Sequence, residues 1–470
     1  MSFSTPVFLF LFFPLTILGY YLIHPKLQNI FLLIASLAFY AWGEPKFIII
    51  FLAAIFFNYL AGLVLGELRR LKNSKLMVMI VAVAVNISLL FYYKYLLFGA
   101  EIINSVFNTG ITIREIALPL GISFFTFRSI SYILDVYWEK SEAQKNPINV
   151  ALYISFFPQV SMGPITQSNL FLDQLSNRHF DLDIFTDGSK LFIIGLAKKL
   201  IIADSLGVIV DPVFSMAGDE RTVVAAWYGM VGYCLQLYFD FSGYSDMAIG
   251  LGKMLGFATP QNFDYPYMAT SITDFWRRWH ITLGEFFKNY VYFPLGGSRN
   301  GNVYINIFIV FLLTGIWHGA AWSFIVWGLW HGLFRLIEMA YQRRQKDFKI
   351  PTIFKHLYAV IVVAMGWVLF RASDLLTGVK YWGNLIGIGT IGFVDSYSLF
   401  TLKSTLGIFI IGIIFCFPVA KKIREFVQNH PIVCKFANNF LMPMIYLGLL
   451  VLCISCMLMN NYNAFIYQKF

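Results

Sequence analysis

Long apolar runs separated by short polar loops extend from one end of this chain to the other. The 470 residues include 49 Phe, and only 13% of the residues are charged. A soluble domain has about 25% charged residues, because its surface must be covered by groups that interact with water. Many of the runs approach the ~20 residues that a helix needs to cross a bilayer. The sequence therefore predicts an all-α polytopic membrane protein that forms one unit over residues 1–470.

Twelve segments are predicted to span the membrane. They are residues 6–22, 30–42, 47–66, 76–98, 116–137, 189–210, 223–252, 302–317, 320–341, 353–371, 403–420 and 440–459. Apolar stretches with internal Pro or Gly lie at 116–127, 150–163 and 261–299. They predict re-entrant or interfacial pieces, which a bilayer tolerates only where protein or water satisfies the backbone.

Basic residues in the loops set the predicted orientation. They concentrate in loops 67–75, 342–355 and 421–424, the second of which includes Lys346 and Lys349. Placing these loops in the cytoplasm puts the N-terminus outside, and 138–188 and 253–301 inside. The net charge of +10 is then a membrane-topology signal, and we expect no nucleic-acid partner. The first span has no small-residue cleavage site after it, so we expect it to be retained.

The sequence contains none of the common catalytic or metal-binding motifs. There is no P-loop, HExxH or GxSxG, and the five cysteines lack paired metal-ligand spacing. Cys453 and Cys456 lie inside an apolar run, where small packing residues are the favoured interpretation. We therefore expect no metal site and no bound cofactor.

Polar residues crowd into 238–332, the stretch in which we place the functional core. His318 lies between two apolar runs, where it could act as a base or hydrogen-bond across two helices. His280 follows Asp274-Phe-Trp-Arg-Arg-Trp279, and on a continuous helix it would lie one turn after Trp276. His331, thirteen residues after His318, favours a structural role.

Charged residues accompany the histidines. Asp240 and Asp246 could orient a histidine, bind an ion or hydrogen-bond between helices, and helix pairing is the favoured interpretation. On a helix, Asp274 and Arg278 would be neighbours one turn apart. Arg277, Arg278, Lys288 and Arg299 flank the predicted cytoplasmic side, where they could bind a phosphate-bearing donor or simply provide positive-inside charge.

Several segments together resemble the membrane-bound O-acyltransferase (MBOAT) family, and its bacterial alginate O-acetylase branch in particular. They are Phe241-Ser-Gly-Tyr-Ser-Asp246, Asn262-Phe263, Pro266-Tyr267, the segment Asp274–His280, Pro294-Leu-Gly-Gly297 and Trp317-His-Gly-Ala320. The likeness covers most of the chain, as far as Phe465-Ile-Tyr467.

The resemblance implies a ring of about 11–13 tilted transmembrane helices around a central tunnel, with re-entrant or interfacial helices. It implies that His318 is the catalytic histidine and that His280, the second signature position, accompanies it in catalysis. We expect Trp276 and the four cations to bind the donor, and Trp317 to be a supporting residue. It implies acetyl-CoA as donor substrate and an extracytoplasmic SGNH-type acetyltransferase as partner. A polysaccharide would be the acceptor, and the bacterial inner membrane the location.

Two alternatives stay open at this point. D-alanyl or another acyl group could be transferred to teichoic acid from a carrier-protein thioester. In the other, a transporter for a polysaccharide or lipid-linked sugar would use the same polar centre as a passage. It predicts substrate movement without thioester cleavage.

Overall fold

The computed structural model describes residues 2–344 and 350–459. Within them the chain is helical, with one isolated bridge between Thr222 and Gly392 in place of a sheet. The prediction of an all-α protein is confirmed. The predicted loop charges Lys346 and Lys349 and the segment Phe465–Tyr467 lie outside the described residues.

The α-helices follow one another in chain order. They are α1 (Phe13–Leu22), α2 (Gln28–Gly43), α3 (Ile48–Glu67), α4 (Lys72–Lys94), α5 (Leu96–Phe107), α6 (Ile122–Tyr137), α7 (Pro147–Ser155), α8 (Ser168–Leu172), α9 (Leu182–Ala197), α10 (Asp204–Ser215), α11 (Val223–Met254), α12 (Ile272–Arg278), α13 (Ile281–Phe287), α14 (Val303–His318), α15 (Trp322–Arg344), α16 (Thr352–Arg371), α17 (Leu375–Leu385), α18 (Ser396–Phe415), α19 (Val419–Gln428), α20 (Pro431–Phe436) and α21 (Met442–Met459). Four π-helical segments extend this set: Phe8–Phe12, Lys198–Ala203, Lys288–Tyr292 and Ala437–Leu441.

Five helical segments of the described residues are long and apolar enough to cross a membrane. They are Ile48–Arg70, Lys72–Lys94, Thr352–Arg371, Ser396–Phe415 and Pro431–Met459. Phe8–Leu22, Leu96–Phe107 and Val303–His318 are shorter apolar helices. The chain is a polytopic membrane protein; the larger number of spans stays a prediction.

Several predicted boundaries are wrong. The span expected at 76–98 ends at Lys94, and a separate helix follows it. The span expected at 403–420 ends at Phe415, because Pro418 disfavours helical geometry in the residue before it. The break expected at Pro119-Leu-Gly121 is confirmed. Gly121 has a φ of +69°, and α6 begins directly after it.

The described residues form two compact units. The first comprises 1–192, 245–260 and 288–290. In it α6 packs against α3 and α4, and α7 packs against α2. Every residue of α6 from Ile122 to Val136 is buried. This helix is the centre of the first unit.

The second unit comprises, of the described residues, 193–244, 261–287, 291–344 and 350–459. Its core is the pair α14 and α15, with α16 against α15 and the short α12 against α15 and α16. Most of the functional core predicted at 238–332 belongs to this unit.

Candidate active site

His318 is the last residue of α14 and is 2% exposed. Gly319 follows in an extended conformation, and α15 begins three residues later at Trp322. The imidazole meets the rings of Trp327 and Phe370 edge-on, with ring centroids 4.8 and 5.1 Å away. His318 therefore lies at a tight turn between two helices, enclosed by aromatic side chains.

Two glycines explain why α14 and α15 approach so closely. A Cβ on Gly315 would lie 2.6 Å from the carbonyl oxygen of Phe324, and one on Gly328 would lie 2.5 Å from that of Phe311. Both contacts are with backbone, which cannot move aside as a side chain could. The glycine pair thus permits the close packing of the hairpin, whose turn carries His318.

His280 lies between α12 and α13. The helical spacing predicted for Trp276 and His280 is wrong, because α12 ends at Arg278 and Trp279 is extended. His280 itself has a φ of +46°, a left-handed conformation that is uncommon for residues other than Gly, although His adopts it more often than most. The backbone break turns the imidazole, which is 1% exposed, against the ring of Phe241 at 4.7 Å.

The side chain of Asn262 holds this break in place. Its Oδ1 accepts hydrogen bonds from the backbone N–H of Thr282 at 3.2 Å and from the Thr282 hydroxyl at 2.9 Å. The backbone carbonyl of Asn262 accepts from the N–H of Ile281 at 2.9 Å. Sequence analysis gave Asn262 no role beyond its place in the signature.

The same contact defines the proton on His280. Its Nδ1 lies 3.1 Å from Asn262 Oδ1. Since the Thr282 N–H can only donate, the Asn262 atom that it faces is the oxygen, and Nδ1 of His280 must donate to it. The Nε2 lone pair is therefore an acceptor, and Nε2 has no hydrogen-bond partner in the described residues. Burial lowers the pKa of His280 to about 3, so the ring is neutral near pH 7.

Trp317 is the ring that the two signature histidines share. Its centroid is 4.6 Å from that of His318 and 6.2 Å from that of His280. His331 is buried among other aromatic rings, 5.2 Å from Trp276 and 5.3 Å from Trp327. These contacts agree with a packing role for His331.

Glu338, on α15, caps the signature helix α12. One carboxylate oxygen accepts from the N–H of Ile272 at 2.5 Å, and the other accepts from the N–H and hydroxyl of Thr273 at 2.9 and 2.6 Å. A carboxylate is favoured at a helix N-terminus, where backbone N–H groups are unsatisfied. Sequence analysis missed this residue; a lone acidic residue in an apolar helix was the available signal.

The predicted donor-binding arginines differ in their surroundings. Arg278 forms an ion pair with Asp274 at 2.9 Å, the spacing of one helical turn that the sequence predicts, and another with Asp264 at 3.6 Å. Arg277 and Arg299 are exposed. Arg277 is therefore more accessible to a ligand than Arg278.

The remaining predicted residues are divided between the two units. Asp240 belongs to the second, where it pairs with Lys199 at 2.8 Å. Lys199 also pairs with Asp204 at 2.6 Å, and all three side chains are 1% exposed. This agrees with the helix-pairing interpretation of Asp240. Asp246 and Lys288 belong to the first unit.

Comparison with known proteins agrees with these motifs. Residues 142–378 match the MBOAT, membrane-bound O-acyltransferase family. The chain is 40% identical to a protein named probable alginate O-acetylase AlgI from Pseudomonas putida, over 83% of this chain and 81% of that one. It is 36% identical to a peptidoglycan O-acetyltransferase from Helicobacter pylori over the same shares. It is 30% identical to a teichoic acid D-alanyltransferase from Bacillus subtilis, over 53% of this chain and 67% of that one. The chain thus belongs to the membrane-bound O-acyltransferase family and is an O-acyltransferase.

Proposed function

We propose that this enzyme takes acetyl groups from cytoplasmic acetyl-CoA and passes them across the membrane for the O-acetylation of a polysaccharide. Two relatives with matches over 83% of the chain are named for O-acetylation, one of alginate and one of peptidoglycan. An extracytoplasmic acetyltransferase of the SGNH type would be the partner that completes the modification. The enzyme would work in the bacterial inner membrane, with its N-terminus outside.

In this proposal His318 is the general base. A neutral imidazole nitrogen removes the proton from an acceptor hydroxyl as its oxygen attacks the thioester carbonyl. The tetrahedral intermediate collapses by breaking the carbon–sulfur bond. His318 returns its proton to the sulfur, and coenzyme A leaves as the thiol.

The single observation that carries the proposal is the position of His318 at the C-terminal end of α14. The last carbonyl groups of a helix carry partial negative charge, which stabilises a cation there by about 0.3–2 kcal/mol. The imidazolium that forms during proton transfer therefore gains a stabilisation that the neutral ring lacks. Gly319 follows His318 directly, and its missing side chain leaves room for the ring of Phe324 at the turn.

The donor would be bound by the signature segment around α12. Arg277 offers an exposed guanidinium to a phosphate of coenzyme A, with Trp276 and Arg299 of the same unit as further donor-binding candidates. His280 is held with its Nε2 lone pair available, which suits acceptance of one hydrogen bond from the donor. A thioester is already activated, so positioning and one base are sufficient for transfer.

D-alanyl transfer is the second candidate, favoured by the likeness to the Bacillus subtilis teichoic acid enzyme. That likeness covers 53% of this chain, against 83% for the O-acetylation relatives. The broader match makes acetyl the preferred group.

One assay separates the donors. Purified protein in detergent is incubated with acetyl-CoA labelled in the acetyl group, an acceptor polysaccharide and excess D-alanyl carrier-protein thioester. Transfer of label and release of free coenzyme A are measured. We expect both to proceed without suppression by the carrier thioester. Transfer from the carrier thioester alone would contradict the acetyl-CoA assignment. Substrate movement without thioester cleavage would contradict transfer of either kind.

A further inference from the structure

The first unit contains a cavity of about 360 Å³ that the proposed reaction does not use. Its walls come from the segment before α9, the first turns of α9, and the last turn of α11 with the residues after it. The volume lies in the range of small-molecule sites, which begin at about 300 Å³. The charged and polar side chains on these walls indicate what the cavity can bind.

Arg178 is the central cation of the cavity. Its guanidinium lies over the ring of Phe257, 4.3 Å from the centroid, and its Nη2 donates to Oδ1 of Asn29. The Nε and Nη1 atoms are buried and have no hydrogen-bond partner in the described residues. Burial lowers the pKa of Arg178, yet a guanidinium keeps its charge in proteins. Arg178 thus lines the cavity as a charged group, and two of its nitrogens have no protein acceptor within the described residues.

The two carboxylates of the cavity contact groups other than the Arg178 guanidinium. Asp181 accepts from the N–H groups of Asp183 and Ile184 and so caps α9. Asp187 pairs with Lys190 at 3.3 Å. Both acidic groups are thus engaged by their own helix.

Lys253 supplies a second cation. It lines the cavity, and its side chain forms no ion pair within residues 2–344 and 350–459. His179 also lines the cavity and is exposed. The three cations Arg178, Lys190 and Lys253 outnumber the two carboxylates Asp181 and Asp187, which leaves one positive charge in excess around the cavity.

We propose that this cavity binds the phosphate group of an organic phosphate ester. A phosphate monoester carries close to two negative charges at pH 7 and offers three acceptor oxygens. The guanidinium of Arg178 and the ammonium of Lys253, which both line the cavity, supply the positive charge and the hydrogen-bond donors that such a group requires. The volume beside them accommodates the organic part of the ester.

Two sources could supply such a group, a soluble nucleotide and a phospholipid headgroup. The loops 138–188 and 253–301, which contribute most of the walls, are predicted to lie on the same, cytoplasmic side. A cytoplasmic nucleotide and a lipid headgroup of the cytoplasmic leaflet can both reach a cavity on that side. The proposal does not depend on acetyl transfer, because none of its residues belongs to the candidate active site.

The test uses the full chain in phosphatidylcholine nanodiscs. Adenosine 5′-monophosphate is titrated by calorimetry, and binding of dioctanoyl phosphatidic acid, a lipid that is also a phosphate monoester, is followed by native mass spectrometry. Arg178→Gln and Lys253→Gln are compared with Lys145→Gln, which alters an exposed lysine of the same unit outside the cavity. Asn29→Ala removes the hydrogen-bond acceptor of Arg178 but leaves the Arg178 charge in place. It therefore separates the effect of positioning Arg178 from the effect of its charge.

We expect Arg178→Gln and Lys253→Gln each to weaken binding of one probe about tenfold or more. Lys145→Gln, Asn29→Ala and His318→Ala should bind within about twofold of wild type. Binding of the nucleotide alone or of the lipid alone identifies the source, and either supports a phosphate site. The proposal is overturned if wild type binds neither probe, or if both cavity variants bind as wild type does.

Discussion

Replacing Glu338 by Gln should loosen α12 without changing the size of the side chain. The carboxylate accepts three hydrogen bonds from Ile272 and Thr273, and Glu338 is 8% exposed. An amide keeps one acceptor oxygen and turns an NH₂ group toward the N–H that the second oxygen served. At least one hydrogen bond to a charged group is therefore lost, and such bonds contribute about 1.5–3 kcal/mol each. This corresponds to about a 10- to 150-fold increase in local opening of the helix.

Hydrogen–deuterium exchange measures that opening directly. Peptides covering 270–280 should exchange about 10- to 150-fold faster in Glu338→Gln, because their amides exchange through the open state. The matched control is Glu285→Gln, which changes an exposed glutamate in the same unit. Exchange of 270–280 within about twofold of wild type in Glu338→Gln would refute the capping argument.

Three further predictions concern the second unit. Lys199→Met leaves two carboxylates buried without their cation, so we expect a loss of about 3–5 kcal/mol in stability; a melting temperature no lower than that of Lys190→Met, which alters a surface pair, would contradict this. Asn262→Ala removes the acceptor that orients His280, and we expect acetyl transfer about 100-fold slower; a rate equal to that of exposed Asn438→Ala would argue against it. The pKa of His280 is about 3 in the fold and about 6.5 when unfolded, so the unfolded state binds the extra proton and stability falls as pH drops below about 6.5. Protonation of His280 in the unfolded state should contribute about 2 kcal/mol to the loss of stability between pH 7 and pH 5. The total loss should therefore be smaller by about 2 kcal/mol in His280→Asn, as thermal melts at the two pH values would show.

The helical class and most of the core segments could be predicted from the sequence because they depend on local composition. Apolar runs and Pro or Gly breaks act over a few residues, which is why Gly121 marks the start of α6 correctly. The ion pair between Arg278 and Asp274 was predictable for the same reason, since it spans one helical turn.

The geometry around His280 could not be predicted in this way. The segment Asp274–His280 contains neither Gly nor Pro, so its pattern is typical of a continuous helix. The break at Trp279 and the left-handed His280 are held by Asn262, eighteen positions earlier. Glu338 caps α12 from a helix 66 positions away, and Asp240 meets Lys199 in the same non-local manner. Such contacts depend on how helices pack, which apolar periodicity does not encode.

The central claim is that His318 is the general base of acyl transfer. The most direct test measures the rate of acetyl transfer from acetyl-CoA by His318→Ala and His318→Gln, in preparations that melt within a few degrees of wild type. His430→Ala, which changes an exposed histidine, is the control. A lost general base should slow transfer about 10²–10⁴-fold in both His318 variants and leave the control unchanged. A well-folded His318→Ala enzyme with wild-type transfer would contradict the account.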